Sequence, residues 1–295
     1  MALTFYSDTK ESISFKDFIK DIKEKIKFGD EDSLLSCKDL LFKLTNNKTF
    51  LSELINDSLS KDIHAFQENN SYSEQSIMLY DCEVFFVRAT YWPKLLKNKR
   101  VRKSHNDVFS YGMIHDHNFP LLTAGYIGSG YVTRLWEYNY NDIIGYPGEK
   151  VDIKFLEETS LHPGKIIYYR PSKDIHCQLP PENTESVAIN LILRSPQHIT
   201  NKQFEFNIKE GTIKRILDST LSHWLNLIRL STFINTKKTR IELEKIANNN
   251  PIPKVRLEAI KALNNISKTS KYWEIGLRDK DEKVKKYASY RLNKV

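Results

Sequence analysis

The stretch SYGMIHDHNFPLLTAGYIGSGYV (residues 110–132) decides the fold, because it places His115 and His117 one residue apart between apolar runs and just before a glycine-rich turn. In a β-strand, side chains at i and i+2 project from the same face about 6–7 Å apart, and the residue between them projects from the other face. The spacing therefore predicts two imidazoles that face one ion, with Asp116 pointing away. A metal site needs a third ligand, and the sequence offers His176 in IHCQLPP.

Short strands are predicted on both sides of this stretch, because β-branched and aromatic residues dominate there. The segments are SIMLYDCEVFFVRATYW (76–92), YVTRLWEYNY (131–140), VDIKFLEET (151–159), KIIYYRP (165–171) and SVAINLIL (186–193). Gly, Pro, Asn and Asp separate them, and no helical pattern lies between them. This arrangement favours an antiparallel sandwich or barrel over a sheet built from βαβ units.

Both ends of the chain show helical spacing of apolar residues. Between about residues 14 and 60, the polar segments GDEDS and TNNKT separate three predicted helices. After Gly211 one helical stripe is predicted, formed by Ile213, Ile216, Leu217, Leu221, Trp224, Leu225 and Ile228. We therefore expect a mixed α and β chain with a helical layer at 1–72, a β-barrel at 73–208 and a helical domain at 209–295.

The last sixty residues contain a weak repeat. Val, Ala and Leu at four-residue spacing recur after 29 residues, each time behind a polar turn: Val255, Ala259 and Leu263, then Val284, Ala288 and Leu292. The pattern resembles HEAT-type repeats, which stack helix pairs and bind partners on an exposed face. Because two copies bury little core, we expect the helix around Trp224 to supply the missing neighbour.

The β-rich region resembles the cupins, which are small β-barrels with two metal-binding motifs. The first motif, G-x5-H-x-H-x3/4-E-x6-G, is matched by His115, His117 and Gly128, with Leu121 at the position of the glutamate. The second motif, G-x5-P-x-G-x2-H-x3-N, is matched by Gly164, Pro171 and His176, with Lys173 and Pro180 in place of the second glycine and the asparagine. The resemblance covers about residues 77–196 and says nothing about the helical ends.

Loss of the glutamate leaves three neutral histidines, which is the arrangement of the thiol dioxygenases. Within the cupins the chain is most similar to cysteine dioxygenase. That resemblance implies a mononuclear Fe(II) on His115, His117 and His176, with open positions for substrate and O2. Because the ligands are neutral, the ion keeps its full charge, which favours an anionic substrate. The chain departs from thiol dioxygenases at Ala188, Asn190 and Ile192, where that family carries a Ser-His-Tyr relay.

Further site residues are predicted from the strands, and no catalytic residue is assigned beyond the metal ligands. Arg88, Arg134 and Arg170 each offer a bidentate contact to a substrate carboxylate, and Asn190 is a polar residue expected to face the pocket. The leading hypothesis is an Fe(II) dioxygenase that acts on a small anionic, thiol-containing or peptide substrate. The alternatives are an isomerase or lyase that uses Zn, Ni or Mn, and a non-catalytic binding or regulatory module with a docking tail.

Charge and cysteine content indicate the cellular compartment and the kind of partner. Three unrelated cysteines argue against a disulfide framework, and the N-terminus carries acids where a secretory signal has a basic head, so we expect a cytoplasmic protein without membrane spans. Residues 236–295 hold 16 Lys and Arg against 7 Asp and Glu, a net +9, whereas the remainder sums to −1. The tail therefore suits an acidic protein or peptide, ahead of nucleic acid. We also expect a homodimer, since cupins often pair through strand edges.

Overall fold

The computed structural model describes residues 3–60, 75–96, 98–218 and 220–293. The chain divides into two units, Met1–Asp218 and Ser219–Val295. The predicted boundary between the helical layer and the barrel, at residue 72, lies outside the described residues. The first unit is mixed α and β and the second is helical, which agrees with the predicted fold class.

The first unit begins with a short strand and four helices, one more than the sequence predicts. They are β1 (Leu3–Tyr6), α1 (Phe15–Lys25), α2 (Glu31–Leu35), α3 (Lys38–Asn46) and α4 (Phe50–Leu59). Helix α1 begins where the Ser14 hydroxyl accepts a hydrogen bond from the Asp17 amide at 3.1 Å. Helix α2 begins in the same way, because the Asp30 carboxylate accepts from two backbone amides.

Eleven strands and two short helices complete this unit. The strands are β2 (Ser76–Asp81), β3 (Phe85–Trp92), β4 (His115–Asp116), β5 (Leu121–Ile127), β6 (Val132–Glu137), β7 (Lys154–Ser160), β8 (Lys165–Tyr169), β9 (Asp174–Leu179), β10 (Ser186–Leu193), β11 (Gln203–Asn207) and β12 (Thr212–Asp218). Helix α5 (Lys99–Val108) precedes β4, and α6 (Pro196–Thr200) precedes β11.

The strand order identifies the β core as a jelly roll of the cupin type. One sheet has the order β1-β8-β5-β10-β3-β2 and the other β12-β11-β4-β9-β6-β7, and all neighbouring strands are antiparallel. If β3 to β10 are counted as strands one to eight, the central orders are 1-8-3-6 and 2-7-4-5. This double Greek key is the topology of a double-stranded β-helix and confirms the predicted cupin core.

The two faces of the first sheet have different roles. Its outer face packs against the N-terminal helices, for example through Val87 and Leu122 against Phe18 and Leu41. Its inner face, with Ile167 and Ile192, packs towards Leu135 of the second sheet. Helix packing therefore covers the outside, and the space between the sheets holds the candidate site.

Two local expectations are wrong: helix α5 lies among the predicted strands, where no helix is expected, and the helical stripe after Gly211 begins with a strand. Ile213, Ile216 and Leu217 do not begin a helix, because they lie on β12, which pairs with β11 and extends the second sheet to Asp218. Apolar residues four apart lie on the same side of a helix, but they can also occur on a strand that contains β-bulges. The pairing of β11 with β12 contains two register shifts of this kind.

The second unit consists of five helices around one apolar core. They are α7 (Thr220–Ile234), α8 (Lys237–Asn249), α9 (Pro253–Ser267), α10 (Trp273–Leu277) and α11 (Glu282–Leu292). The repeat residues lie on α9 and α11, where five of the six are buried in the core and Leu292 packs against it. Leu221, Leu225 and Ile228 of α7 join that core, whereas Trp224 is exposed. The HEAT assignment stays a prediction.

A buried ion pair joins α9 to the turn before α11. Arg256 contacts both carboxylate oxygens of Asp279, with Nε to Oδ2 at 2.7 Å and Nη2 to Oδ1 at 2.6 Å. Its remaining nitrogen donates to the backbone carbonyls of Asn250 and Pro251 at 2.8 and 3.1 Å. In both units, the helices that the structure describes are too short or too polar to cross a lipid bilayer.

Candidate metal centre

The three predicted histidines meet on the inner face of the second sheet. Strands β4 and β9 are antiparallel neighbours, and His115 and His176 are register partners on them, so both side chains point to the same face. His117 follows β4 directly. One ligand nitrogen from each ring lies within 4.8 Å of the others. The ring centroids are 4.3 Å apart for His115 and His176, 4.8 Å for His117 and His176, and 5.0 Å for His115 and His117.

Burial keeps the three imidazoles neutral. It lowers the pKa of His115 to about 4, against a slight opposing effect of the Met113 carbonyl. Burial is also the main cause that lowers the pKa of His117 and of His176 well below 6.5, and the charge of the neighbouring histidines adds to it. Neutral imidazole is the form that binds a divalent transition ion.

Neighbouring groups orient two of the rings, and the third has a free nitrogen. Nδ1 of His115 lies 3.1 Å from the Met113 carbonyl, which leaves Nε2 for a ligand. The amide nitrogen of Gln203 on β11 lies 2.9 Å from Nδ1 of His117 and donates to the Asp116 carbonyl at 3.0 Å. Within the described part of the chain, Nδ1 of His176 is buried and makes no hydrogen bond. The carbonyl acceptor at His115 and the buried, unpartnered nitrogen of His176 fit a bound divalent metal.

Asp116 lies between the two histidines and points to the opposite face, as the alternation predicts. Its carboxylate accepts hydrogen bonds from the Tyr138 hydroxyl at 2.6 Å and from the Phe204 amide at 2.7 Å. Complete burial raises its pKa to about 7, although both hydrogen bonds act in the opposite direction. Asp116 therefore ties the histidine segment to β6 and β11 and is not a ligand.

The histidines form one wall of a cavity of about 290 Å³ between the sheets. The opposite wall is polar: Thr123 donates to Asn190 at 2.6 Å, and the amide of Asn190 and the indole of Trp92 donate to Thr90 at 3.4 and 3.1 Å. Other lining residues are Gln75, Ser76, Arg88, Ser110, Met113, Phe119, Leu121, Tyr131, Tyr169, Gln178, Gln203 and Leu217. Leu121 thus lies at the cavity, where the cupin motif has a glutamate.

Two of the four predicted substrate-binding residues line this cavity. Arg88 and Asn190 are register partners on β3 and β10, and both face inward. Arg88 is close enough to the histidines for its charge to lower the pKa of both His115 and His117.

The other two predicted arginines form ion pairs instead and do not line the cavity. Arg134 is exposed and contacts Glu158 at 2.5 Å. Arg170 binds Asp174, with its Nε 3.0 Å from Oδ2, and Glu137 at 3.2 Å. Arg134 points outward from β6 towards Glu158 on the neighbouring β7, whereas Arg170 lies in the turn between β8 and β9 and binds Asp174 at the start of β9.

Several residues that line the cavity were not predicted from the sequence. Tyr169 lines the cavity and its ring lies 4.5 Å from that of His176, whereas Tyr168 faces the helices and donates to Glu31. Alternation along a strand requires one of these two tyrosines to face inward, but parity alone does not say which one. Gln203 lies on β11, beyond both cupin motifs, and carried no signal. Tyr131, whose pKa burial raises to about 12, was read only as a strand residue.

No protein-family profile and no curated protein matches this sequence. Solved structures with partial similarity include TT1209 from Thermus thermophilus, at 14% identity and a TM-score of 0.25 over 46% of this chain and 97% of that chain. Hydroquinone 1,2-dioxygenase from Sphingomonas sp. TTNP3, with 4-hydroxybenzoate bound, has 4% identity and a TM-score of 0.29 over 43% and 73%. An RmlC-like cupin protein from Ralstonia eutropha JMP134 has 12% identity and a TM-score of 0.25 over 55% and 79%. The fold assignment rests on the strand order, not on these similarities.

Proposed function

We propose that this chain is a metal-dependent cupin oxygenase that holds Fe(II) on His115, His117 and His176 and oxidises a small anionic substrate with O2. The observation that carries the proposal is the convergence of three desolvated imidazoles on the wall of a half-enclosed cavity that Arg88 also lines. When bound, iron supplies open coordination positions at which substrate and O2 meet.

The charge of the cavity supports an anionic substrate. Three neutral ligands leave the +2 charge of the ion uncompensated, and Arg88 adds a guanidinium whose charge lowers the pKa of His115, His117 and Tyr131. A carboxylate on the substrate can pair with this guanidinium in a bidentate way. Arg88 thus binds and orients the substrate, and the aromatic rings of Trp92 and Tyr169 exclude water from its body.

The size of the cavity favours a small molecule over a peptide. Its volume of about 290 Å³ lies at the lower end of the roughly 300–1,000 Å³ that small-molecule sites occupy. The wall formed by Thr90, Thr123 and Asn190 is polar where thiol dioxygenases carry their relay, so the substrate need not be cysteine. Among the predicted substrates, a small carboxylate, with or without a thiol, agrees best with this geometry.

The test begins with protein purified without oxygen. Metal content is measured, Fe(II) is added back, and O2 consumption is recorded with cysteine, 3-mercaptopropionate and thiol-free aliphatic and aromatic carboxylates. About one iron per chain and O2 uptake that requires a substrate support the proposal. Turnover without O2 on Zn or Ni would assign an isomerase or lyase instead, and tight ligand binding without turnover would assign a binding module.

Three variants separate the roles within the site. His176→Ala removes a ligand, so we expect loss of both iron and activity. Arg88→Met is expected to keep iron and to raise KM at least tenfold for anionic substrates, because the lost contact is to the substrate. Arg134→Met is the matched control: this arginine is exposed and paired with Glu158, so the variant should keep both iron and KM.

For the second unit we keep the HEAT-like assignment as a proposal. Its support is that the 29-residue repeat places Val255 and Val284, and Ala259 and Ala288, in the same buried core on α9 and α11. The net charge of the tail favours an acidic protein or peptide as its partner. Binding of a polyglutamate peptide to the full chain, weakened tenfold or more between 50 and 300 mM salt, would support this; salt-independent binding or none would contradict it.

A further inference from the structure

Helix α7 has apolar residues on two opposite faces. One face carries Leu221, Leu225 and Ile228, which are buried in the core of the second unit. The other face, here called the outer face of α7, carries five large apolar side chains with these exposed fractions: Trp224 53%, Leu227 69%, Leu230 59%, Phe233 87% and Ile234 66%. A helix that is apolar on both sides is normally covered on both sides.

The outer face of α7 is large enough for a stable interface. Its five side chains expose roughly 700 Å² of surface, more than the ~300–600 Å² of the largest apolar patch on a typical monomer and close to the ~800 Å² that each partner buries in a standard interface. We infer that this face pairs with the same face of a second copy of the chain. The inference is independent of the proposed oxygenase function.

The shape of this face is complementary to itself. Phe233 and Leu227 lie three residues on either side of Leu230. Leu227 also lines a groove of about 320 Å³ between α7 and α8, together with Leu243 and Ile246. If two α7 helices pack antiparallel about a two-fold axis at Leu230, the two Leu230 side chains meet at the axis and Phe233 of each copy lies level with Leu227 of the other. An isologous dimer requires such a reciprocal contact.

The charge of α7 permits this pairing. Apart from His223, the helix has one basic residue, Arg229, and that residue is bound to Glu258 of α9 at 2.6 Å. The outer face of α7 itself therefore brings no like charges together, and of the charged residues that line the groove, Lys238 and Glu242, one is basic and one acidic. The lack of basic residues on α7 also disfavours an acidic protein or an anionic membrane as the occupant.

Sedimentation of the full chain from 1 to 100 μM tests the inference. We expect a monomer–dimer equilibrium in the wild type and a monomer throughout for Leu227→Asp and Phe233→Asp, whose side chains are too exposed to hold the fold together. Ile144→Asp is the matched control, because Ile144 is 82% exposed in the first unit and should leave the dimer unchanged. A wild-type monomer at 100 μM, or a dimer that survives in both α7 variants, would overturn the inference.

Trp224 provides a second readout that does not depend on a variant. The other three tryptophans, Trp92, Trp136 and Trp273, are 4–8% exposed, so iodide quenching reports mainly on Trp224. We expect quenching to fall as concentration rises. Leu230→Cys should also form a disulfide-linked dimer on copper-phenanthroline oxidation, and Ile144→Cys should not. Quenching that stays constant with concentration, or binding of the monomer to phosphatidylcholine vesicles through α7, would overturn the inference.

Discussion

The three buried histidines make the metal-free protein sensitive to acid. Burial lowers the pKa of His115 from 6.5 to about 4 and those of His117 and His176 well below 6.5. At a pH between the folded and the unfolded pKa values, each of the three histidines is protonated in the unfolded chain and neutral in the folded chain. Since the folded-state pKa is the lower one, the stability contributed by neutral histidine is complete above pH 6.5 and is lost as the pH falls.

The magnitude follows from His115. His115 has a pKa of 6.5 in the unfolded chain and of about 4 in the folded chain. Lowering the pH from 7.5 to 5 therefore reduces the free energy of unfolding by about 2 kcal/mol through this residue. Asp116 acts in the opposite direction, because its pKa rises from 3.8 to about 7 on folding, which adds about 2.5 kcal/mol to the free energy of unfolding over the same interval. The wild-type profile therefore mixes both effects, and a variant is needed to isolate one histidine.

His115→Gln removes one titrating group from the site. Urea unfolding of the metal-free protein, with a chelator present and at pH 7.5, 6.5 and 5, gives the free energy of unfolding at each pH. We expect the variant to lose about 2 kcal/mol less than the wild type between pH 7.5 and 5. His162→Gln, at an exposed position, is expected to follow the wild type. If the profiles of His115→Gln and the wild type run parallel, the three-histidine site is not desolvated as described.

Three further variants test other parts of the structure. Gln203→Leu removes the contact to Nδ1 of His117, and we expect metal affinity to fall about 10–100-fold in competition with a chelator. Arg256→Ala leaves the Asp279 carboxylate buried without its partner, and the free energy of unfolding should fall by about 3–5 kcal/mol in urea titrations. Gly128→Ala places a Cβ 1.9 Å from a backbone carbonyl at a φ of +86°, so a lower melting temperature, by at least about 5 °C, is expected.

Each variant has a matched control. Gln178→Leu changes another glutamine of the cavity and should leave metal affinity within threefold of wild type. Arg229→Ala breaks an exposed ion pair, which costs less than about 1 kcal/mol. Gly148→Ala has a φ of +88° but no atom within 4 Å of the new Cβ, so it measures the backbone effect alone. Equal effects in a variant and its control would contradict the mechanism given for that variant.

The sequence predicted those parts of the site that depend on local alternation. His115 and His117 face one cavity because strand geometry has a period of two, and the cupin motif places His176 as their partner. Asn190 is the one polar residue among the apolar residues of VAINLIL, which is why it was expected to face the pocket, and it lines the cavity. The change from helices to strands near residue 76 was also readable, because the apolar periodicity changes sharply there.

The features of the site that could not be read from the sequence depend on contacts between residues that are distant in the chain. Whether an arginine on a strand faces a cavity or an acid depends on its neighbours in space, so Arg134 was indistinguishable from Arg88 in the sequence. Gln203 approaches His117 only because β11 pairs with β4, a contact between residues 86 apart in the chain. Trp224 was assigned to the core because its spacing fits an apolar stripe, but the helix has a second apolar face.

The pairing of β4 with β9 also determines when the three histidines come together during folding. During synthesis the two histidines of the HDH segment leave the ribosome well before His176, so the nascent polypeptide first offers a bidentate chelate of low affinity. A third imidazole joins them only when β9 pairs with β4, so a three-nitrogen site for an ion would form only together with the barrel. An ion held by all three histidines would therefore stabilise the chain in which β4 and β9 are paired over any chain in which they are not.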